Sequence, residues 1–449
     1  MTYFTITEQS CLNFSKANWA WVFPLKYIQL TNLISLDTLT YQKSDTAALY
    51  SHRWLMLSGV WLLYFCFGMT VTSLAPLVRP ITDELKMNYT EMGRILGSWQ
   101  LVYIATALPC GVLIDRLGLR RSLLIASVLI GISCMMRAFA QGQLTLFLAV
   151  AFFGIGGPLI SIGAPKLIGI WFKEHERRLA MGLYITGMAL GGITTLSITN
   201  SVMMPWMDGD WRKVLLIYSF VVFLSGLIWL LISRHPESIE MEGHLSKLER
   251  PPQVQVFLEL FNLLPVRIIM LMGICIFLYN HGLSNWMYEI LQTRGLGVER
   301  AGYWASIPTL IGILGSLSIP RLAVPKLRFW ILAGLFVSAG TSVILLKSYS
   351  EPIILIGLAL KGITQGSMMA ILLLILMEIP KVGSRYAGSA GGMFFAAAEI
   401  GGVLGPLSLG ILSDNERSFQ SGLTMLSLVC IILFALVFVL KHLLTAQQN

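Results

Sequence analysis

Charge is what this sequence has least of. Only 12% of its 449 residues are Asp, Glu, Lys or Arg, against roughly 25% in a soluble domain. A chain so poor in charge, 55% hydrophobic and with a mean hydropathy of +0.73, uses lipid as its solvent. Cysteine is sparse as well. The six residues Cys11, Cys66, Cys110, Cys134, Cys275 and Cys430 show no CxxC or other metal-type spacing, and five of them lie in apolar runs. There cysteine packs as a small hydrophobe, and no disulfide or metal framework is indicated. The sequence also lacks GxxxxGK[ST], HExxH and the nucleophile elbow. These absences argue against a soluble enzyme and an ATP-driven pump; no catalytic residue, cofactor or metal is expected. The net charge of +9 is spread along the chain instead of forming a patch, so no nucleic-acid partner is expected.

What is present is a series of long apolar runs. About 20 such residues cross a bilayer as a helix, and twelve runs qualify: near 54–78, 91–114, 122–140, 144–171, 179–203, 213–233, 266–290, 301–322, 329–347, 352–377, 386–411 and 420–441. The expected fold is therefore an all-α membrane protein of twelve transmembrane helices. The larger share of the 32 Lys and Arg falls on the side that holds both termini, which makes that side cytoplasmic. The expected location is the cell (inner or plasma) membrane.

The expected organisation is an N-terminal extension over 1–52, a six-helix bundle over 53–233, a cytoplasmic linker over 234–265, a second six-helix bundle over 266–441 and a tail over 442–449. The extension lacks the basic start, apolar core and small-residue site of a signal peptide. It fits either a disordered segment, with a start codon read too early as one explanation, or an interfacial one anchored by Trp19, Trp21, Phe23 and Tyr27. The end of the linker, Phe257 to Leu264, fits a short interfacial helix. Two weak internal repeats support pseudo-symmetry: Tyr64–Gly68 parallels Leu278–Gly282, and Ala189–Gly192 parallels Glu399–Gly402. Such repeats suit transporters that rock two halves about a central site.

Ionisable groups inside a bilayer carry a functional hypothesis by default. Of the 23 acids only Glu399 lies deep in a span. Lys361 lies near the middle of the preceding one. Two readings stand side by side: Lys361 binds an anionic substrate while Glu399 carries a coupling proton, or the two form a structural ion pair. Lys166, near the end of the fourth span, reads first as a snorkelling side chain. Asn280 and His281, beside Gly282 and Ser284, suit a locally broken, site-lining seventh helix, although hydrogen bonding between packed helices also accounts for them. Gln100, Tyr64 and Tyr279 are further candidates for the lining. Gly405-Pro406 marks a kink or hinge. Asn88-Tyr89-Thr90 is a glycosylation sequon, relevant only in a eukaryote.

The most specific feature is the loop Gly111-Val-Leu-Ile-Asp115-Arg116-Leu-Gly118-Leu-Arg120-Arg121. Glycines let two helices close into a tight turn, and the arginines hold that turn on the cytoplasmic side. The loop resembles the signature between the second and third helices of the major facilitator superfamily. Its second copy, Gly315 to Arg321, lacks the acid. The resemblance covers residues ~53–441 and implies two six-helix pseudo-repeats and transport by alternating access. It implies a gating motif of Gly111, Asp115, Arg116, Gly118, Arg120 and Arg121, with Asp115 locking the outward-open state against the eleventh helix. Within the superfamily, Gly282 to Gly295, Ala301-Gly302 and Gly315-Ser316 are similar to the cyanate-permease group. The fifth span lacks the Gly-Pro pair of drug–proton antiporters, and the second and eighth lack the central arginines of nitrate transporters.

The expected function is secondary active transport of a small polar solute, more readily an anion, with a proton as the coupling partner and the lipid bilayer as surroundings. Two alternatives remain: an exporter of amphipathic compounds, and a facilitator fold that senses a ligand or scaffolds a partner without transport.

Overall fold

A computed structural model describes residues 52–172, 174–235, 258–416 and 418–446. The N-terminal extension and most of the linker, 236–257, lie outside the described residues. Residues 53–449 form one compact unit. Its twelve long helices are α1 (52–72), α2 (Tyr89–Leu96 continued by Ser98–Leu117), α3 (Leu119–Ala138), α4 (Gln143–Trp171), α5 (Glu174–Ile198) and α6 (Trp211–Ser233). The second set is α7 (Leu264–Thr293), α8 (Val298–Leu322), α9 (Arg328–Leu345), α10 (Glu351–Met377), α11 (Gly383–Glu416) and α12 (Gln420–Ala446). Eleven spans pass on length and apolarity alone, and α2, bent at Pro109, makes the twelfth.

The ends of these helices follow from local chemistry. The first span stops at residue 72, earlier than its hydropathy suggests. A turn at Ser73-Leu74 and a single 3-10 turn, Ala75–Leu77, intervene before a further helical segment, Val78–Leu85. Pro76 has no N–H to continue the ladder. The freed end is held by Arg137 of α3, fully buried, which donates to the Thr70 carbonyl at 2.8 Å and to Ser73 Oγ at 3.0 Å. A cation at a helix C-terminus complements its dipole. At the start of α2, Asn88 and Glu91 form a reciprocal capping box, so the sequon asparagine is used structurally. Asp210 caps α6. The α2–α3 turn is made by Gly118 at φ +82° and ψ 164°, a region essentially reserved for glycine that costs other residues about 1–3 kcal/mol. Gly111 has no such part; it lies within α2, and nothing stands within 4 Å of where a Cβ would be.

Packing repeats with a period of six helices. The contacts α3–α4, α2–α4 and α3–α6 recur as α9–α10, α8–α10 and α9–α12. The pair α1–α5 recurs as α7–α11: Gly191 faces the Phe65 carbonyl so closely that a Cβ would overlap it, and Gly401 does the same against Ile274. Small residues at these points let backbones touch. Large apolar side chains such as Phe220, Leu231 and Ile431 point outward, where lipid is their solvent. Residues 258–261 form the short helical piece expected before α7, with Leu258 and Phe261 exposed.

The two halves meet through α2–α11 and α5–α8, which are themselves related by the same six-helix shift. Among the described residues, the hydrogen bonds across this seam run from the middle of the helices to the face opposite the Asp115 loop. On the Asp115 face, the described ion pairs Arg53–Glu176, Lys166–Asp115 and Arg328–Glu378 each stay within one half. The molecule is therefore closed on the face away from the loop.

Candidate functional site

Polar side chains gather where α2, α7, α10 and α11 approach each other. Lys361 of α10 is 1% exposed. Its Nζ donates to Gln365 Oε1 at 2.7 Å and to Ser284 Oγ of α7 at 3.2 Å. Gln365 is one turn below it on α10, and Ser284 is one turn from His281 on α7. Both partners are neutral. Glu399 of α11 is also buried, and its Oε2 lacks a hydrogen-bond partner among the described residues. It lies beside Gly402 and the Gln100 side chain. Among the described residues no ion pair joins Lys361 to Glu399, so the structural ion pair, one of the two readings open from the sequence, is not formed here.

Gln100 of α2 shares a 3.2 Å hydrogen bond with His281 Nδ1 across the seam. His281 also meets the edge of Trp99 and the ring of Phe277. Its helix differs from expectation: α7 is continuous from Leu264 to Thr293, not locally broken, because His281 and Ser284 reach α2 and α10 through their side chains and leave the backbone ladder intact. Asn285 Nδ2 donates to the His281 carbonyl at 2.9 Å. Asn280 is half-buried, with Oδ1 lacking a hydrogen-bond partner among the described residues.

Tyr64 of α1 packs on Tyr184 of α5 at 4.8 Å and on Phe67 at 5.5 Å between ring centroids. Nearby, the Tyr103 and Ser161 hydroxyls are hydrogen-bonded at 2.8 Å. The centre is thus asymmetric: the first half lines it with aromatic rings and hydroxyls, and the second supplies the ionisable groups. Tyr279 does not join this set. It is fully buried in the second half, beside Thr364 and Ser342. Two residues along a helix is about 200° of rotation, which turns Tyr279 away from the face of His281.

At the signature loop, Asp115 Oδ1 accepts from Lys166 Nζ at 2.5 Å. Lys166 therefore does more than snorkel: its half-exposed ammonium reaches the rim and ties α4 to the end of α2. Arg116 sits in the last turn of α2, where a cation suits the dipole. The Arg120 carbonyl accepts from the buried Trp229 indole of α6 at 3.0 Å, and Arg121 is exposed on the same turn. Gly405-Pro406 lies inside an uninterrupted α11. The Pro406 carbonyl accepts from the Trp286 indole of α7 at 2.9 Å.

Sequence reasoning missed a second cluster on the closed face. Glu289 of α7 is fully buried; its Oε1 accepts from Arg79 Nε at 2.6 Å and from the Tyr89 hydroxyl at 2.8 Å. The Asp414 carboxylate of α11 accepts the backbone N–H groups of Tyr89 and Thr90, at 2.9 and 2.6 Å, capping the start of α2 across the seam. The signal was faint: Glu289 stands near a helix end, and Arg79 follows a proline-broken span.

Two packed six-helix repeats with the buried ionisable side chains Lys361 and Glu399 where they approach each other are the architecture of a membrane transporter. The sequence profile of the Major Facilitator Superfamily matches residues 60–406, and the chain belongs to that family. It is similar to the hexuronate transporter of Bacillus subtilis (strain 168), 24% identical over 76% of this chain and 83% of the relative. It is also similar to a probable L-galactonate transporter of Escherichia coli (strain K12), 25% identical over 76% of this chain and 79% of the relative. Among solved structures, an inward-facing, unoccupied bacterial homologue of the human lysosomal transporter Spinster shares the fold, with a TM-score of 0.71, 14% identity, and 87% of this chain and 97% of that one covered.

Proposed function

We propose that this protein moves a small organic anion across the membrane by alternating access, with Lys361 as the anion's counter-charge. The observation that carries this reading is the Lys361 ammonium, buried and held by two neutral groups. A charge removed from water without an opposite partner carries a penalty of several kcal/mol, and such groups in membrane proteins mark solute and ion pathways. An anionic substrate supplies the missing charge. Gln100, Asn280 and His281 complete the polar wall, and Tyr64 with Tyr103 and Ser161 offers rings and hydroxyls to the rest of the solute. The names of the relatives support a substrate with one carboxylate and several hydroxyls. The narrower likeness to cyanate permeases rests on the stretch from Gly282 to Ser316 and leaves the same anionic class.

Glu399 is the proton site in this reading. It is buried, unpaired and adjacent to Gln100, so its protonation couples to the same pocket. The halves act as rigid bodies over 53–233 and 266–441. With both termini and the Asp115 loop in the cytoplasm, the sealed face is the outer one, and the Asp115–Lys166 pair lies on the inner face. Gly111, whose surroundings are open here, is free to receive α11.

Uptake into proteoliposomes tests the proposal. Galacturonate and galactonate are expected to enter wild-type vesicles faster when the outer pH is lowered, and Glu399→Gln is expected to uncouple uptake from the proton gradient. Lys361→Ala is expected to abolish uptake of both acids. Uptake of amphipathic cations instead, insensitive to Lys361→Ala, would replace this reading with that of an exporter.

A further inference from the structure

The closed face carries a hollow of about 350 Å³ at the seam of the two halves. It is lined from the first half by Arg79, Asn200 and Met204, and from the second by Tyr288, Gln292 and Val298. It is far from Lys361 along the helices: Val298 begins α8 and Gln292 ends α7, whereas Ser284, the Lys361 partner, lies two turns deeper on α7. Its volume falls at the lower end of small-molecule pockets, roughly 300–1,000 Å³.

Three features give this hollow the chemistry of a binding site. First, Arg79 is a guanidinium with its side chain 46% exposed, facing solvent while its Nε holds the fully buried Glu289. A guanidinium matches a carboxylate in shape and charge. Second, the helical ladder of α5 switches at its end to a π-turn, Thr199–Met203. Such turns are frequent at functional sites, and this one sets Asn200 in the seam. The Asn200 amide donates to the Pro76 carbonyl at 2.9 Å and to the Tyr288 hydroxyl at 2.7 Å. Third, Gln292 donates to the same Tyr288 hydroxyl at 3.0 Å, and its Oε1 lacks a hydrogen-bond partner among the described residues. The hollow therefore sets one cation from the first half and one unused acceptor from the second in a lining that is otherwise largely apolar, with Pro76, Pro80, Met204 and Val298 among it.

We infer that this hollow is an outer recognition site for a hydroxylated carboxylate, in which the carboxylate competes with Glu289 for Arg79. The inference rests on the anion reading of the central pocket. The anion takes the exposed side of the guanidinium, and the free Gln292 Oε1 accepts from one of its hydroxyl groups; the Tyr288 hydroxyl, which donates to the Val298 carbonyl at 3.1 Å and accepts from Asn200 and Gln292, fixes the Gln292 amide in place. Because Arg79 ties the outer segment to α7 through Glu289, occupancy weakens the contact that closes this face. Arrival of solute and opening toward it are thereby linked.

The test is protection of a thiol in the detergent-purified full chain. Val298→Cys, at the exposed rim, is reacted with a hydrophilic maleimide, and labelling of that one residue is read by peptide mass spectrometry with and without galacturonate or galactonate. The acids are expected to slow labelling severalfold, equally in the Lys361→Ala background, and Arg79→Gln is expected to remove the protection. Arg79→Lys, which keeps the charge but not the fork, is expected to retain part of it, and guards against misfolding of the first variant. Labelling unchanged by the acids in the Lys361→Ala background would overturn the site, as would protection that survives Arg79→Gln. Uptake by wild-type vesicles, measured in parallel, reports on the central anion pocket by itself: uptake without rim protection refutes the hollow alone, and no uptake of any acid refutes the transport reading.

Discussion

The side chains that matter most here are charged groups held in places where charge is expensive. Lys361 rests on Ser284 and Gln365, and replacing it distinguishes charge from size. Lys361→Arg is expected to keep a reduced anion uptake, while Lys361→Met, of similar length, loses it; equal uptake by the two variants would exclude a role for charge. Glu289 sets the opposite case, an acid sealed beneath Arg79. Lys361 and Glu399 were legible in the sequence because a lone charge within an apolar run stands out at once. Glu289 was not, since Arg79 lies 210 residues away in the chain and no local pattern announces that approach. Tyr279 was misplaced for a geometric reason: proximity in sequence to His281 says nothing of which helix face a residue occupies until the packing of that helix is known.

At the scale of single helices, termini and close contacts decide the structure. Gly401 of α11 touches the Ile274 carbonyl, whereas Gly392 on the same helix has open space around it. Gly401→Ala is expected to destabilise the purified protein by about 1–3 kcal/mol, the usual range for overpacking. Gly392→Ala is expected to leave its melting temperature unchanged or slightly raised. Equal shifts for the two would mean that α7 and α11 do not pack as described. At the α2–α3 turn, Gly118→Ala is expected to cost about 1–3 kcal/mol because its positive φ and extended ψ suit glycine alone, measured by thermal unfolding in detergent, while Gly111→Ala is expected to be close to neutral. Helix number and placement were legible from hydropathy, and the boundaries of most spans shift by only a few residues. The early end of α1 was not, because its cause is the tertiary contact of Arg137 with Thr70 and Ser73, nor was the continuity of α7.

The whole molecule is two similar halves sealed along one face. The seal combines Arg79–Glu289, the Tyr89 hydroxyl on Glu289 and the Asp414 cap on α2. Asp414→Asn keeps the size of the side chain but removes its charge and one of the two oxygens that accept from Tyr89 and Thr90, a loss of about 1.5–3 kcal/mol for a hydrogen bond to a charged group. It is expected to raise reactivity of Val298→Cys by loosening the seal; unchanged reactivity would place the hold elsewhere. The signature loop revealed the family from sequence, and the six-helix repeat was visible as faint glycine patterns. Which face is shut was not visible, because it depends on contacts between residues of different halves. The account as a whole turns on the unpaired ammonium at the centre. Its most direct test is counterflow of labelled galacturonate in proteoliposomes of the wild type and of Lys361→Ala. Exchange by the wild type that is inhibited by galactonate and absent in the variant is the predicted result. Exchange that persists undiminished without the Lys361 charge would contradict it.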